Sequence, residues 1–267
     1  MKGRTLLFIS IACLAAAYFV APESKSAGGV SPTARVLRTA LGPLRAPAAS
    51  LLRLHAAFAR GEGDADESIR IQQFALEIDH STEAALSLAS ELAYDIPSSG
   101  LSSASSRECA RLAIETLKKA RDLGNNDPRL LDLQAELILT KRTPAPIVTK
   151  AERRAALDEA LVLAEMVIKT HRAGNLRASM ILSERGDLEF AERRFDKAAR
   201  DFRAAAGHEE ILAHAGFEDA HATAALYLQK AALGDALHEG AGAEAVEKIF
   251  RSIREMNAND PVLTIPR

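Results

Sequence analysis

Apolar and polar positions fall into three regimes along the chain. From Thr5 to Ala21 the residues are almost all apolar, with Lys2 and Arg4 before them and Pro22 after. A short segment rich in Pro, Ser, Gly and charge comes next, from residue 23 to residue 33. Beyond it, from residue 34 to residue 264, apolar residues recur at i, i+3, i+4 and i+7 and are broken repeatedly by turn signals. That spacing places them on one face of a helix. No stretch alternates with period two, so the pattern predicts an all-α fold. Helices are expected over Ser50–Arg60, Thr82–Asp95, Arg129–Thr140, Arg172–Arg185 and Ala222–His238, each followed by a second helix.

The first regime reads as a membrane or export segment over residues 1–22. Basic residues ahead of an apolar run keep the N-terminus inside and send the downstream chain across the bilayer. As a helix, Thr5–Ala21 would span about 25 Å, a little under a hydrocarbon core of about 30 Å. A single-pass anchor is one reading, with the bulk of the chain on the exported side. A cleaved signal peptide is another, with small-x-small pairs at Ala15/Ala17 and Ser24/Ser26, giving a periplasmic or secreted chain. A lipoprotein signal at Cys13 is the third, although Ser10-Ile11-Ala12 lacks the usual aliphatic residue three places before the cysteine.

The second helices share a recurring signature of a small residue, a bulky one four places on and a small one three further. It is carried by Ser68, Gln72 and Ala75 after Gly63-Asp64, and by Ala113, Leu117 and Ala120 before Asp127-Pro128. Ala160, Ala164 and Val167 form a weaker copy. Ala191, Phe195 and Ala198 follow Gly186-Asp187, and Ala245, Ile249 and Ser252 precede Asp260-Pro261. Small side chains on one face let a neighbouring helix come close, while a turn glycine supplies positive φ between paired helices.

These residues resemble the second helix of a tetratricopeptide repeat, entered through its Gly-Asp turn and closed by proline. Departures are visible: Gln72 stands at the bulky place of the first copy and His80 at its proline place. The copies are spaced by roughly 30 to 55 residues against a family period of about 34, so insertions are expected. They fall at Ile96–Ser106, Arg142–Lys150 and His208–Ala220. The resemblance implies a right-handed α-solenoid of about five helical hairpins behind the N-terminal hydrophobic helix. It implies a protein–protein interaction scaffold or adaptor that binds a peptide or partner helix along its first helices. Carried over by position, the lining residues are Arg53, Ala57 and Arg60 in the first hairpin. Ser87, Glu91 and Tyr94 line the second, and Leu176, Met180 and Glu184 the fourth. No catalysis and no cofactor are implied.

Composition narrows the picture. Of 267 residues, 48% are hydrophobic and 26% charged, as in a folded protein; only 4% are aromatic and tryptophan is absent. Alanine and leucine dominate, which favours helix on helix. A net charge of −2 provides no global field for a phosphate backbone, so a nucleic-acid partner is not expected. The two cysteines, Cys13 and Cys109, cannot bridge within the repeat region.

Candidate chemistry is sparse. His214, Glu218 and His221 would share a face on an unbroken helix and could hold a metal. Leu212 replaces the second histidine of a His-Glu-x-x-His motif, and Gly216 interrupts the helix, so a solvent-facing polar stripe is the plainer reading. A helical enzyme or metal-binding protein with a site spanning hairpins is therefore the alternative function. The acidic Gly61–Asp66 stretch lacks the ligand order of a calcium loop and reads as a turn and N-cap. Glu239–Ala243 follows no strand and reads as another turn. Lys150, Arg153 and Arg154 form a small basic cluster that reads as a solvated face.

Overall fold

The computed structural model describes residues 31–96, 103–140 and 149–264. The N-terminal segment 1–22, nearly all of the linker and the core of the Arg142–Lys150 insertion lie outside them. Among the described residues every regular element is helical, and no helix there is long and apolar enough to cross a membrane. The chain divides into two compact units at Leu130.

The first unit opens with helix α1 (Pro32–Leu41), so the expected linker ends in a helix start. Ser31 caps α1, its hydroxyl accepting from the Ala34 amide at 3.2 Å, with Pro32 in the first turn where no amide is required. A 3₁₀ turn, Gly42–Leu44, leads into α2 (Arg45–Gly61). The chain reverses at Gly63, whose φ of +88° suits glycine. Asp64 then caps α3 (Ala65–Ile78) by accepting from the Glu67 amide at 2.9 Å. Ser81 caps α4 (Thr82–Ser90), which widens into a π-helical turn over Glu91–Asp95. Helix α5 (Ser103–Asp122) starts inside the expected insertion Ile96–Ser106, and α6 (Pro128–Thr140) follows the Asp127-Pro128 signal.

The core of this unit gathers Leu37 and Leu41 from α1, Ala49, Leu52 and Ala56 from α2, and Ile71, Ala75 and Ile78 from α3. Ser31 also anchors α1 to the rest: its amide and hydroxyl donate to Glu77 at 3.2 and 2.6 Å, and Lys119 of α5 donates to the same carboxylate at 2.5 Å.

The second unit continues from Leu131 in α6 through α7 (Lys150–Ile168), α8 (Ala173–Ala191), α9 (Phe195–His214), α10 (Ala220–His238) and α11 (Ala243–Met256). A 3₁₀ turn, Pro261–Thr264, ends the described chain. Thr149 and Glu152 form a reciprocal capping box on α7. From α7 onward each helix packs on the next. Phe190, Phe202, Leu233, Phe250 and Ile253 are central to the core, with the Phe190 and Phe195 rings edge to face at 5.1 Å.

The expected order of helices is present in both units, but three local expectations need correction. Gly186-Asp187 is not a turn: both residues lie inside α8, and the reversal falls at Glu192–Arg194, where Arg193 has φ of +59°. A Cβ on Gly186 would sit 2.6 Å from the buried Phe202 ring, so this glycine is kept for close packing. The buried small-bulky-small set of α9 is accordingly Ala198, Phe202 and Ala205, and Ala191 ends α8. In α11 the inward face is Val246, Phe250 and Ile253, one residue on from Ala245, Ile249 and Ser252. Finally, His208–His214 belongs to α9, which leaves a connection of Ala215–Asp219 only.

Gly186→Ala should therefore destabilise the protein by about 1–3 kcal/mol through overpacking against Phe202. Gly207→Ala, in α9 with no atom within 4 Å of the new methyl, should stabilise by roughly 0.5–1 kcal/mol from helix propensity. Urea unfolding of the two variants checks the contrast; equal shifts would mean that Gly186 plays no packing role.

Candidate partner-binding surface

The lining positions carried over from the repeat pattern divide by chemistry. In the first unit, Arg53 of α2 reaches Asp79 at 3.3 Å. Arg60 pairs with Glu91, and Gln72 donates to the other oxygen of Glu91 at 2.8 Å. Glu91 is only 7% exposed, so the π-helical turn delivers a carboxylate into a closed set of partners. Ala57, Ser87 and Tyr94 are exposed. In the second unit, Glu184 receives two hydrogen bonds from Arg153, at 2.5 and 2.6 Å. Leu176 and Met180 of α8 are 44% and 40% exposed. The charged members are thus engaged inside each unit, and the apolar and small ones face water.

The larger apolar feature was not among the expected lining residues. On α2, Leu51, Leu54 and Phe58 are 50%, 56% and 64% exposed, and Pro47 is exposed one turn earlier. Steps of four, three and four residues put these side chains on a single ridge with the 3.5-residue period of a helix–helix seam. The inward face of the same helix is built from Ala48, Ala49, Leu52, Ala56 and Ala59. The spacing was readable in the sequence. Two apolar stripes on one helix left open which one faces the core, and the bulkier set is the one turned outward.

In the basic cluster at the start of α7, Lys150 is exposed, as a solvated face requires, but Arg153 and Arg154 are structural. Arg153 donates to the carbonyls of Ile138 and Leu139 at 3.1 and 2.6 Å, closing the C-terminus of α6 while it holds Glu184 on α8. Arg154 pairs with Glu189 at 2.9 Å and Glu192 at 2.7 Å, and Arg194 joins the same two carboxylates.

His214, Glu218 and His221 do not share a helix. His214 is the last residue of α9, Glu218 lies in the turn, and His221 is in α10. The two imidazole centroids are 6.5 Å apart. Among the described residues no group of three or more His, Cys, Asp or Glu side chains is placed to hold a metal ion. His208 is half-buried, with Nδ1 at 3.0 Å from the Asn175 side-chain oxygen; burial pushes its imidazolium down, and Glu165 opposes the shift. Cys109 is buried in α5, and burial, reinforced by Glu108 and Asp66, pushes its thiol up.

Among the described residues the most deeply buried charge is Lys230 on α10, 1% exposed. Its ammonium lies 2.6 Å from Asp187, 3.4 Å from Asp260 and 4.5 Å from the centre of the Phe202 ring. Asp260 also accepts from the Val262 amide at 3.1 Å, so one carboxylate fixes both the lysine and the C-terminal turn. Burial raises the Asp187 carboxyl to about 6, with Lys230 pulling against it. The arrangement has the hallmarks of a structural ion triad: Lys230 and Asp260 are almost wholly enclosed, and Asp187 is about four-fifths covered.

No protein-family model matches the chain, and comparison with curated proteins finds no match.

Lys230→Met should cost about 3–5 kcal/mol at pH 7–8, because it strands two buried carboxylates. The folded pKa of Asp187 is raised above its unfolded value, so its ionisation opposes folding above about pH 6, and that cost is relieved as the pH falls toward 4. Removing the ammonium enlarges the cost. The deficit of the variant should therefore shrink by at least about 1 kcal/mol at pH 5 relative to pH 8. Urea unfolding at the two pH values measures it, and a deficit independent of pH would show that the triad is not the cause.

Proposed function

We propose that this chain is a protein–protein interaction scaffold, tethered or exported through its N-terminal segment, that captures an amphipathic partner helix along α2. The observation that carries the reading is the outward ridge Pro47–Leu51–Leu54–Phe58. Apolar side chains of this size, turned to solvent at seam spacing, suit a second helix whose own apolar stripe has the same period. Helix α2 contains no carboxylate, and of its arginines Arg53 and Arg60 are held by Asp79 and Glu91 while Arg45 has no carboxylate partner among the described residues. A partner helix with acidic flanks is the complementary choice.

The same reading takes the hairpins as degenerate tetratricopeptide-like repeats stacked in a right-handed solenoid. Ion pairs between alternate helices support it. Within the first unit Arg60–Glu91 joins α2 to the π-helical turn that extends α4, and Glu77–Lys119 joins α3 to α5. Within the second, Arg177 of α8 reaches Asp132 and Glu136 of α6 at 3.3 and 2.8 Å, and Lys230 of α10 reaches Asp187 of α8. First helices touching first helices, and second touching second, is the neighbour pattern of stacked hairpins.

The test uses the full chain and synthetic helical peptides with a leucine seam, flanked by glutamates or by lysines. The acidic peptide should bind, and Leu54→Asp with Phe58→Asp should weaken it at least about tenfold, the cost of placing charge in an apolar seam. Both positions are exposed, so unfolding free energy should change by less than about 0.5 kcal/mol. Equal binding of the lysine-flanked peptide, or of the variant, would discard the proposal.

A further inference from the structure

Helices α1 and α2 meet around the 3₁₀ turn Gly42–Leu44, and an open cleft of about 400 Å³ lies at that junction. Its walls are Arg35, Arg38, Thr39, Gly42 and Arg45. Among the described residues none of the three arginines has a carboxylate partner, although arginines in the rest of the chain are mostly paired. Arg45 donates its Nε–H to the Gly42 carbonyl at 2.9 Å, which fixes the root of its guanidinium and leaves the terminal nitrogens for the cleft. Gly42, with φ of +49° and no atom within 4 Å of a would-be Cβ, keeps the wall between them low.

The surroundings do not neutralise this charge. The sequence from Ser24 to Gly61 contains no aspartate or glutamate. Carboxylates at the C-terminal end of the neighbouring α3 are engaged elsewhere, Glu77 by Ser31 and Lys119. Asp79 there is held by Arg53 at 3.3 Å. His80 is half-buried, and burial, with Arg38 and Arg45 adding to it, pushes its imidazolium below the ordinary range. The cleft therefore presents three uncompensated guanidinium groups at physiological pH. A carboxylate is satisfied by one guanidinium fork, whereas three forks suit the several oxygens of a phosphate.

We propose that the Arg35–Arg38–Arg45 cleft is a binding site for a phosphate group. Its supply is either a lipid headgroup or free phosphate. The headgroup source rests on the tethered reading: only residues 22–30 separate the apolar run from the cap of α1, a reach of at most about 30 Å for nine extended residues. An anchored chain keeps the cleft within that distance of the bilayer surface.

The experiment takes the full chain in discs of neutral phosphatidylcholine and titrates inorganic phosphate by NMR or calorimetry. In parallel, hydrogen exchange of residues 32–45 is compared between neutral discs and discs containing phosphatidylglycerol. Saturable phosphate binding, or protection specific to the anionic discs, supports the site when Arg35→Ala and Arg38→Ala each weaken it by roughly three- to tenfold. It must also weaken as NaCl rises from about 50 to about 300 mM. Arg200→Ala, which removes the same charge from an exposed position on α9, should leave binding unchanged. Absence of both responses overturns the proposal, as does a response that Arg200→Ala reduces as much as Arg35→Ala does. Arg35 is exposed and Arg38 half-buried, so Arg35→Ala keeps the test valid if Arg38→Ala unfolds. Alkaline extraction of the membrane-bound chain tests the tether separately, and the phosphate arm stands whatever that result.

Discussion

Close approach of neighbouring helices is the constraint on which the rest of this structure depends. Ala56, Ala75, Ala113, Ala160 and Ala198 are all fully buried, each presenting only a methyl group to its neighbour. At Gly186, already described, and at two further glycines even a methyl is too large. A Cβ on Gly174 would lie 2.6 Å from the backbone nitrogen of Ile168, and one on Gly234 would lie 2.9 Å from the carbonyl of Phe195. Backbones this close gain dispersion along their whole length and leave few voids. They also leave little volume for large core side chains, which accounts for an aromatic content of 4%.

A core of methyl groups removes less apolar surface per residue than one of leucines and phenylalanines. Much of the specificity between elements is therefore carried by arginine. Arg153 closes α6 and holds α8; Arg185 bridges Asp158 of α7 and Asp201 of α9, both at 2.7 Å; Arg177 spans α6 and α8. These groups are partly exposed, so each pair is worth no more than about 1 kcal/mol. Their number and forked geometry favour one arrangement of the helices over its neighbours in register. Lys230 is the exception, enclosed on all sides and therefore costly to disturb.

The sequence carried the helices well because capping and turn residues act locally. Gly63-Asp64 and Asp127-Pro128 each mark a boundary that the structure keeps. It misled where one residue type serves two physical purposes. Gly186 followed by an aspartate has the form of a turn, yet the glycine yields space to Phe202 and the aspartate meets Lys230. Neither partner is near in sequence, so no local pattern could separate the two roles. The shift of one residue in α11 has a similar origin: Ala245 and Val246 both fit a helical stripe, and the location of Phe190 and Phe202 decides between them. At the surface, residue type named the charged positions Arg60, Glu91 and Glu184 but could not reveal that each already had a partner. The three arginines at the α1–α2 junction form no motif, because their lack of a carboxylate partner among the described residues follows from the fold and not from their spacing.

Helix α2 presents small residues inward and large ones outward, an inversion of the usual distribution. Rotating it by half a turn would bury Leu51, Leu54 and Phe58 but would wedge α3 away from the alanine face. Steric fit thus overrides hydrophobicity in setting the orientation of this helix. Each outward side chain retains roughly half its surface in water, equivalent to about 1 kcal/mol of transfer free energy that folding leaves uncollected. The cohesion this helix forgoes within its own unit is the same quantity that a helix seated on the ridge would recover.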